Sequence, residues 1–266
     1  MELKNTFNEV IGDYEYARPR YPEQLYEDIA KYSAINRSSR ILEVGAGTGQ
    51  TTDYYAQRGY DITALEIGEQ QVDYLNKKYK GCENVKVLCR AFEDYRSDKG
   101  YDLIFSATAF HWIKPKRRYQ NSYELLKSNG TLAVYWATSL NRTVNSDIHR
   151  GIQNVCEKCV PGVTVFYPDS YFAKVHHYRL NEMNRSGMFT AIDYRVHNWT
   201  EEYSANRYAA LINTFEYIQV LPMKQRIEFL AQVEKYIAER GGCISIPQQV
   251  ELYLLRKSDK YERTHA

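Results

Sequence analysis

The sequence has neither a long apolar run nor an excess of charge of one sign. In its 266 residues no stretch approaches the roughly 18 consecutive apolar residues of a membrane-spanning helix. The 35 lysines and arginines nearly balance the 33 aspartates and glutamates, and the net charge of +2 gives no electrostatic reason to expect nucleic acid or membrane as a partner. The first ten residues lack an apolar core, so we predict no signal peptide and a cytoplasmic protein.

Cysteine is also scarce. The five cysteines are scattered along the chain, at Cys82, Cys89, Cys156, Cys159 and Cys243. Their odd number fits reduced thiols better than a disulfide framework. Cys156 and Cys159 form a lone CxxC, but a structural zinc ion would need two further ligands, and the nearest histidines lack a familiar finger spacing. We therefore predict no metal site.

The chain is organised around one glycine-rich stretch, residues 40–49 (RILEVGAGTG). The aliphatic residues 41–44 predict a strand, and a helix-like segment follows from Gln50. Glycines are needed between them because the backbone must turn sharply and let a ligand approach. In a dinucleotide fingerprint, G-x-G-x-x-G/A, the third glycine would fall at Gln50, so that motif does not fit. A glycine-rich turn of another α/β protein remains an alternative.

The spacing of these glycines fits a different motif. Glu43 stands two residues before the first glycine and completes the pattern E-x-G-x-G-x-G, which resembles motif I of the class I S-adenosylmethionine-dependent methyltransferases. In that family the glycine turn lies against the methionine part of the cofactor. The resemblance predicts S-adenosyl-L-methionine as the cofactor, bound by Glu43, Gly45, Ala46, Gly47, Thr48 and Gly49.

A second acidic residue follows at the expected separation. Residues 61–66 predict a strand that ends with Glu66, 21 residues after Gly45. This is close to the usual spacing of a carboxylate that binds a ribose. A carboxylate can accept hydrogen bonds from both hydroxyls of the ribose. We predict this role for Glu66; the alternative is an exposed acid at a strand end.

Further segments resemble one group within this family, the trans-aconitate methyltransferase-like proteins. They are Y-x-x-x-R-P-x-Y-P at residues 14–22, F-H-W at 110–112 and L-L-K-x-x-G-x-L at 125–132, so the resemblance covers about residues 12–140. It implies further cofactor contacts at Tyr16, Arg20, Ile67, Ala91, Phe92, Glu93, Ala107 and Phe110. Many members carry an acid near the start of the adenine turn, where this chain has Arg90. Whether Glu93 or no side chain binds the adenine amino group therefore stays open.

His111 is the one histidine placed where it could act as a base toward a methyl acceptor. The alternative is that His111 and Trp112 only form the pocket wall, because methyl transfer to an already nucleophilic group needs no base. Further candidates for substrate contacts are Tyr14, Tyr167 and Tyr171. The family resemblance suggests a small-molecule acceptor, and we expect a monomer or a homodimer.

The order of predicted elements gives the fold class α/β, with a Rossmann-like, mostly parallel sheet of seven strands. We expect helices on both faces, an antiparallel last strand and a helical lid inserted after the fifth strand. Residues 1–30 would form an N-terminal strap and helix over the cofactor, 31–140 the cofactor-binding core, 141–190 the lid, and 191–266 the rest of the sheet, all in one domain. Helices are expected near residues 204–218 and 224–240.

These features favour a methyltransferase that moves a methyl group to a small molecule by in-line displacement. A sulfonium methyl carbon is strongly electrophilic, so the protein mainly has to align the acceptor and exclude water. This agrees with clear cofactor motifs and no obvious catalytic constellation. A non-catalytic protein that binds S-adenosylmethionine remains an alternative, and a nicotinamide-dependent oxidoreductase is a weaker one.

Overall fold

A computed structural model describes residues 11–139, 147–162 and 169–258. The strands in these ranges are β1 (Arg40–Val44), β2 (Asp61–Glu66), β3 (Val85–Cys89), β4 (Tyr101–Ala107), β5 (Leu126–Ser139), β6 (Phe189–Ser204) and β7 (Cys243–Lys257). The helices are α1 (Ile11–Ala17), α2 (Glu23–Ser33), α3 (Gln50–Gln57), α4 (Glu69–Lys78), α5 (Pro115–Leu125), α6 (Asp147–Cys159), α7 (Asp169–Ser186), α8 (Ala205–Asn213), α9 (Glu216–Gln219) and α10 (Met223–Ala238).

The strands form one sheet in the order β3-β2-β1-β4-β5-β7-β6. From β3 to β5 neighbouring strands pair in parallel, with Val44 opposite Leu65 and Ile104 opposite Leu132. Strand β1 is buried along nearly its whole length, as expected for a parallel strand covered on both faces. The predicted α/β class and the mostly parallel, Rossmann-like sheet are confirmed. The antiparallel direction of the last strand stays a prediction.

The chain divides into two compact units, and strands β6 and β7 contribute residues to both. We call the described parts of Met1–Arg20, Thr138–His176 and Asn198–Gln249 the helical unit, and those of Tyr21–Ala137, His177–His197 and Val250–Ala266 the sheet unit. Each has its own apolar core. The core of the helical unit includes Ile152, Ile212, Phe229, Val233 and Ile237, and that of the sheet unit includes Leu42, Ile104, Leu132, Trp136 and Tyr253. The predicted domain boundaries stay a prediction.

One predicted helix is interrupted. Residues 204–218 form two helices, α8 and α9, because Phe215 between them has an extended backbone, with φ of −80° and ψ of 132°. Arg18 donates to the hydroxyl of Thr214 at 2.9 Å and to its carbonyl oxygen at 3.2 Å. In a continuous helix that carbonyl would accept the backbone N–H of Ile218, which instead bonds to Phe215. The prediction of one continuous helix was therefore wrong.

No helix in the described ranges is both long enough and apolar enough to cross a membrane. Within the same ranges, no three side chains of the His, Cys, Asp or Glu type are grouped as ligands for a metal ion. All five cysteines are free thiols, and burial raises the pKa of Cys156 to about 12. A thiol with so high a pKa is a poor nucleophile at neutral pH.

Candidate functional site

The glycine turn joins β1 to α3 and needs glycine for two reasons. Gly45, Gly47 and Gly49 have φ angles of +76°, +57° and +80°, which residues with a Cβ rarely adopt. A Cβ on Gly45 would lie 2.5 Å from the Cβ of Ala109, whereas one on Gly47 would meet nothing within 4 Å. Gly45 therefore permits close contact with the segment after β4, and Gly47 leaves open space for a ligand.

Glu66 stands at the end of β2, beside this turn, and is only 9% exposed. One carboxylate oxygen accepts the backbone N–H of Gly47 at 2.8 Å. The other accepts those of Ile67 at 2.7 Å and Gly68 at 3.0 Å. Three backbone donors thus fix the orientation of the carboxylate against the turn. The spacing found in the sequence corresponds to a direct contact between the two motifs.

Glu43, the acid of the glycine motif, is enclosed in the protein and 1% exposed. The hydroxyl of Thr52 donates to its carboxyl group. Burial raises the pKa of Glu43 to about 8, and the negative charges of Asp53 and Glu66 act in the same direction. The carboxyl group is therefore mostly neutral at pH 7, and a contact of Glu43 with the cofactor stays a prediction.

Two polar atoms at the turn are buried and have no hydrogen-bond partner among the described residues. They are the hydroxyl oxygen of Thr48 and the side-chain nitrogen of Gln50. Buried polar groups in proteins are nearly always satisfied, so such atoms mark a place where a polar ligand group fits. The amino acid part of S-adenosylmethionine carries both donor and acceptor groups. The residues of the turn therefore fit the cofactor that the motif implies.

Three residues that the motifs did not identify hold the far end of the turn. Tyr79 directs its hydroxyl at the carbonyl oxygen of Gly49 at 2.9 Å and at the carboxylate of Asp53 at 2.8 Å. Lys78 donates to the carbonyl oxygen of Thr48 at 2.9 Å and pairs with Asp53 at 2.7 Å. The side chains come from α3 and from the end of α4. No local pattern in the sequence indicates that these two segments meet at the turn.

The segment after β3 contains the residues predicted to line the adenine. Phe92 is 3% exposed and belongs to the core of the sheet unit, while Ala91 and Glu93 are partly exposed beside it. Asn121 on α5 donates to the carbonyl oxygens of Phe92 and Glu93 at 2.8 and 3.1 Å. The backbone here is therefore fixed from α5, a contact that sequence analysis missed. Adenine binding at this segment stays a prediction.

The segment after β4 begins with a strained residue. Ala107 ends the strand, and Thr108 has a φ of +53°, which is rare for a β-branched side chain. The hydroxyls of Tyr21 and Thr108 lie 3.1 Å apart, and the backbone N–H of Thr108 donates to the carbonyl oxygen of Tyr135 at 2.8 Å. Backbone strain of this kind is concentrated at functional sites. Phe110, predicted to contact the cofactor, is buried in the core.

His111 lies in a short 3-10 turn with Trp112, whose ring centre is 4.8 Å from the imidazole centre. Its Nδ1 accepts the indole N–H of Trp136 at 3.1 Å. Burial of the ring lowers the pKa of His111 to about 4, and the positive charges of Arg179 and Arg118 act in the same direction. The residue as a whole nevertheless keeps more than a third of its surface accessible. His111 is therefore neutral at physiological pH and open to a ligand.

The remaining predicted residues belong to the helical unit. Tyr16 is 51% exposed, and Arg20 pairs with Glu15 at 2.8 Å. The ring of Tyr14 lies 5.1 Å from the guanidinium carbon of Arg18, and Tyr171 is exposed. Tyr167 lies outside the described residues. Contacts of these residues with cofactor or acceptor stay predictions.

Comparison with known proteins agrees with the glycine motif. Residues 42–134 match the family model of a methyltransferase domain. An uncharacterized methyltransferase of Schizosaccharomyces pombe is 29% identical over 239 residues, which cover 88% of each chain. The chain spans only about half the length of the next curated relatives, 53% and 54%.

Solved structures share the fold. A proposed type II methyltransferase from Anaeromyxobacter dehalogenans has a TM-score of 0.62 at 15% identity, covering 90% of this chain and 97% of that one. Phosphoethanolamine N-methyltransferase 2 of Haemonchus contortus, solved with phosphomonomethylethanolamine and S-adenosylhomocysteine, has a TM-score of 0.55 at 11% identity, covering 97% and 61%. The fold, the motif and the matched domain together support a class I S-adenosylmethionine-dependent methyltransferase domain, with residues 42–134 as the matched part.

Proposed function

We propose that this protein transfers a methyl group from S-adenosylmethionine to a small-molecule acceptor. The observation that carries the proposal is the Glu66 carboxylate, which three backbone N–H groups hold beside the open glycine turn. Both features lie at the carboxyl ends of parallel strands, where open α/β sheets bind their ligands. The expected cytoplasmic location and the absence of nucleic acid and membrane partners form part of the same proposal.

The contacts of Glu66 set a limit on how it binds the ribose. An ionised carboxylate has about four acceptor sites. Backbone N–H groups use three of them, so Glu66 can accept a hydrogen bond from one ribose hydroxyl without losing any of its present contacts. A second hydroxyl would have to share a site with a backbone donor. One of the two hydroxyls should therefore contribute more to the affinity than the other.

The other residues of the chain would bind the cofactor, orient the acceptor and enclose both reactants. When bound, S-adenosylmethionine supplies an electrophilic methyl carbon. Thr48 and Gln50 would bind its amino acid part, and the segments after β3 and β4 would hold the adenine and the acceptor. Alignment of two reactants in this way can supply about 7–11 kcal/mol of the barrier.

Calorimetry with S-adenosylmethionine and S-adenosylhomocysteine, beside NAD, tests the proposal. We expect both sulfur compounds to bind and NAD to fail. In Glu66→Gln the affinity should fall at least tenfold, or about 1.4 kcal/mol. Absence of binding of either sulfur compound to folded protein would refute the proposal.

Deoxyribose analogues separate a ribose contact from a weakened turn. If Glu66 binds a hydroxyl, Glu66→Gln should reduce the affinity for S-adenosylhomocysteine more than that for its 2′-deoxy or 3′-deoxy analogue. Equal losses of affinity for S-adenosylhomocysteine and its deoxy analogues would mean that Glu66 only stabilises the turn and does not contact the ribose. A panel of small acceptors then tests transfer; binding without transfer to any of them would favour the non-catalytic alternative.

A further inference from the structure

A continuous set of contacts leads from strand β7 to His111. Arg179 on α7 pairs with Glu251 on β7 at 3.0 Å, and Tyr194 on β6 donates to the other oxygen of Glu251 at 2.8 Å. The guanidinium carbon of Arg179 lies 3.9 Å from the centre of the Trp136 ring. Trp136 in turn donates its indole N–H to Nδ1 of His111 at 3.1 Å. We call these five residues the Trp136 cluster; all belong to the sheet unit.

The bond from Trp136 determines which nitrogen of His111 carries a proton. An indole nitrogen can only donate, so Nδ1 must present a lone pair. A neutral imidazole that accepts at Nδ1 has its proton on Nε2. An imidazolium ion would place an N–H on Nδ1 against the indole N–H, so it is incompatible with this contact.

The surrounding charges act in the same direction. Arg179 on α7 and Arg118 on α5 both disfavour a positive charge on His111. Each guanidinium group is held by a partner, Glu251 and Glu182 respectively. A cation over the indole ring also attracts its electrons, which makes the N–H a stronger donor. The cluster thus maintains both the neutral state and the tautomer.

We propose that Trp136, held under Arg179, is a positioning residue that fixes His111 as a neutral imidazole protonated on Nε2. His111 then offers the methyl acceptor a hydrogen-bond donor and does not act as a base. In the part of the chain that the structure describes, Nδ1 is the only ring nitrogen of His111 with a hydrogen bond, so the Nε2–H is available to an acceptor.

This inference rests on the proposed function and narrows its substrate class. Because Nδ1 is occupied and Nε2 is protonated, His111 has no vacant lone pair that could take a proton from the acceptor. The reacting atom of the acceptor must therefore be nucleophilic at the working pH without first losing a proton to His111. A neutral amine or an oxyanion meets this condition, whereas a neutral aliphatic alcohol does not, because its oxygen becomes strongly nucleophilic only on deprotonation.

Nitrogen-15 NMR of the imidazole rings tests the tautomer directly, because two-bond couplings distinguish a protonated from an unprotonated ring nitrogen. The spectra are recorded on the full chain between pH 6 and 8, and His111→Gln assigns the signals. Trp136→Phe keeps an aromatic ring but removes the donor. Trp112→Phe is the matched control, because it removes an indole next to His111 that makes no bond to Nδ1.

In the wild-type protein and in Trp112→Phe we expect His111 to be protonated on Nε2 only, with no change over this pH range. In Trp136→Phe both tautomers should be populated, and proton affinity should rise at least tenfold toward that of an ordinary histidine. A wild-type ring protonated on Nδ1, or a Trp136→Phe spectrum identical to the wild-type one in a folded protein, would overturn the proposal.

The result is separable from a failure of the proposed function. Calorimetry on the same samples reports binding of S-adenosylmethionine. If the wild-type protein does not bind the cofactor and His111 still shows the Nε2–H tautomer, the methyltransferase proposal fails while the positioning by Trp136 stands. If the cofactor binds and Nδ1 is protonated, the proposed function stands and the positioning role is refuted.

Discussion

Replacing Glu43 with glutamine should remove a large pH dependence from the stability of the protein. Glu43 is enclosed at the end of β1, and burial raises the pKa of its carboxyl group from 4.5 to about 8. Glutamine has nearly the same shape and cannot ionise. Its side-chain oxygen can still accept the hydrogen bond from Thr52.

The sign follows from proton linkage. Between pH 4.5 and about 8 the folded protein holds a proton on Glu43 that the unfolded chain has lost, so the free energy of unfolding falls as the pH rises. The stabilisation is complete below pH 4.5 and is lost as the pH passes through about 8. Each pKa unit corresponds to about 1.4 kcal/mol, so the whole shift amounts to about 5 kcal/mol. Between pH 5 and pH 8 the expected difference is about 4 kcal/mol.

Urea unfolding at pH 5, 6.5 and 8 measures this effect. We expect the free energy of unfolding of Glu43→Gln, relative to that of the wild-type protein, to increase by about 4 kcal/mol as the pH rises from 5 to 8. Glu83→Gln, at an exposed position, is the control and should leave the pH dependence unchanged. Parallel pH curves for the wild-type protein and Glu43→Gln would refute the reasoning.

Two further variants test the glycine turn. Gly45→Ala combines an unfavourable φ with a Cβ 2.5 Å from that of Ala109, whereas Gly59→Ala has a φ of +78° and open space. Calorimetry should show loss of S-adenosylmethionine binding in Gly45→Ala but not in Gly59→Ala, and thermal unfolding should show that Gly45→Ala is the more destabilised of the two. Equal effects of the two variants would contradict the close contact between Gly45 and Ala109. Tyr79→Phe should reduce the free energy of unfolding by about 1 kcal/mol and weaken cofactor binding, because the hydrogen bond to Gly49 is lost. An unchanged cofactor affinity in folded Tyr79→Phe would contradict a role of this bond in binding.

The sheet could be predicted because its signals are local. Residues 41–44 form an aliphatic run that ends in glycine, and the next strand ends in Glu66 at a fixed separation. The contact between Glu66 and the backbone of Gly47 explains why that separation matters: β1 and β2 are adjacent, so the two motifs end at the same place. Sequence spacing here reports a distance in space.

Other features depend on residues far apart in the chain and have no local signal. At the break between α8 and α9 the carbonyl oxygen of Thr214 accepts a hydrogen bond from Arg18, 196 positions earlier in the chain. The support of the glycine turn joins Asp53 on one helix to Tyr79 after another. Amphipathic spacing predicts which face of a helix is buried, but it does not predict which polar side chains will meet.

His111 shows why a residue type in the right place does not define a chemical role. A histidine after the fourth strand could act as a general base, donate a hydrogen bond or only form part of the pocket wall, and the sequence does not distinguish these roles. The choice depends on which ring nitrogen carries the proton, and here that follows from an indole N–H 25 positions later in the chain. Arg179 packs against the ring of that indole. Because Arg179 is held by Glu251 near the end of the chain, the protonation state of His111 is a property of the assembled sheet unit.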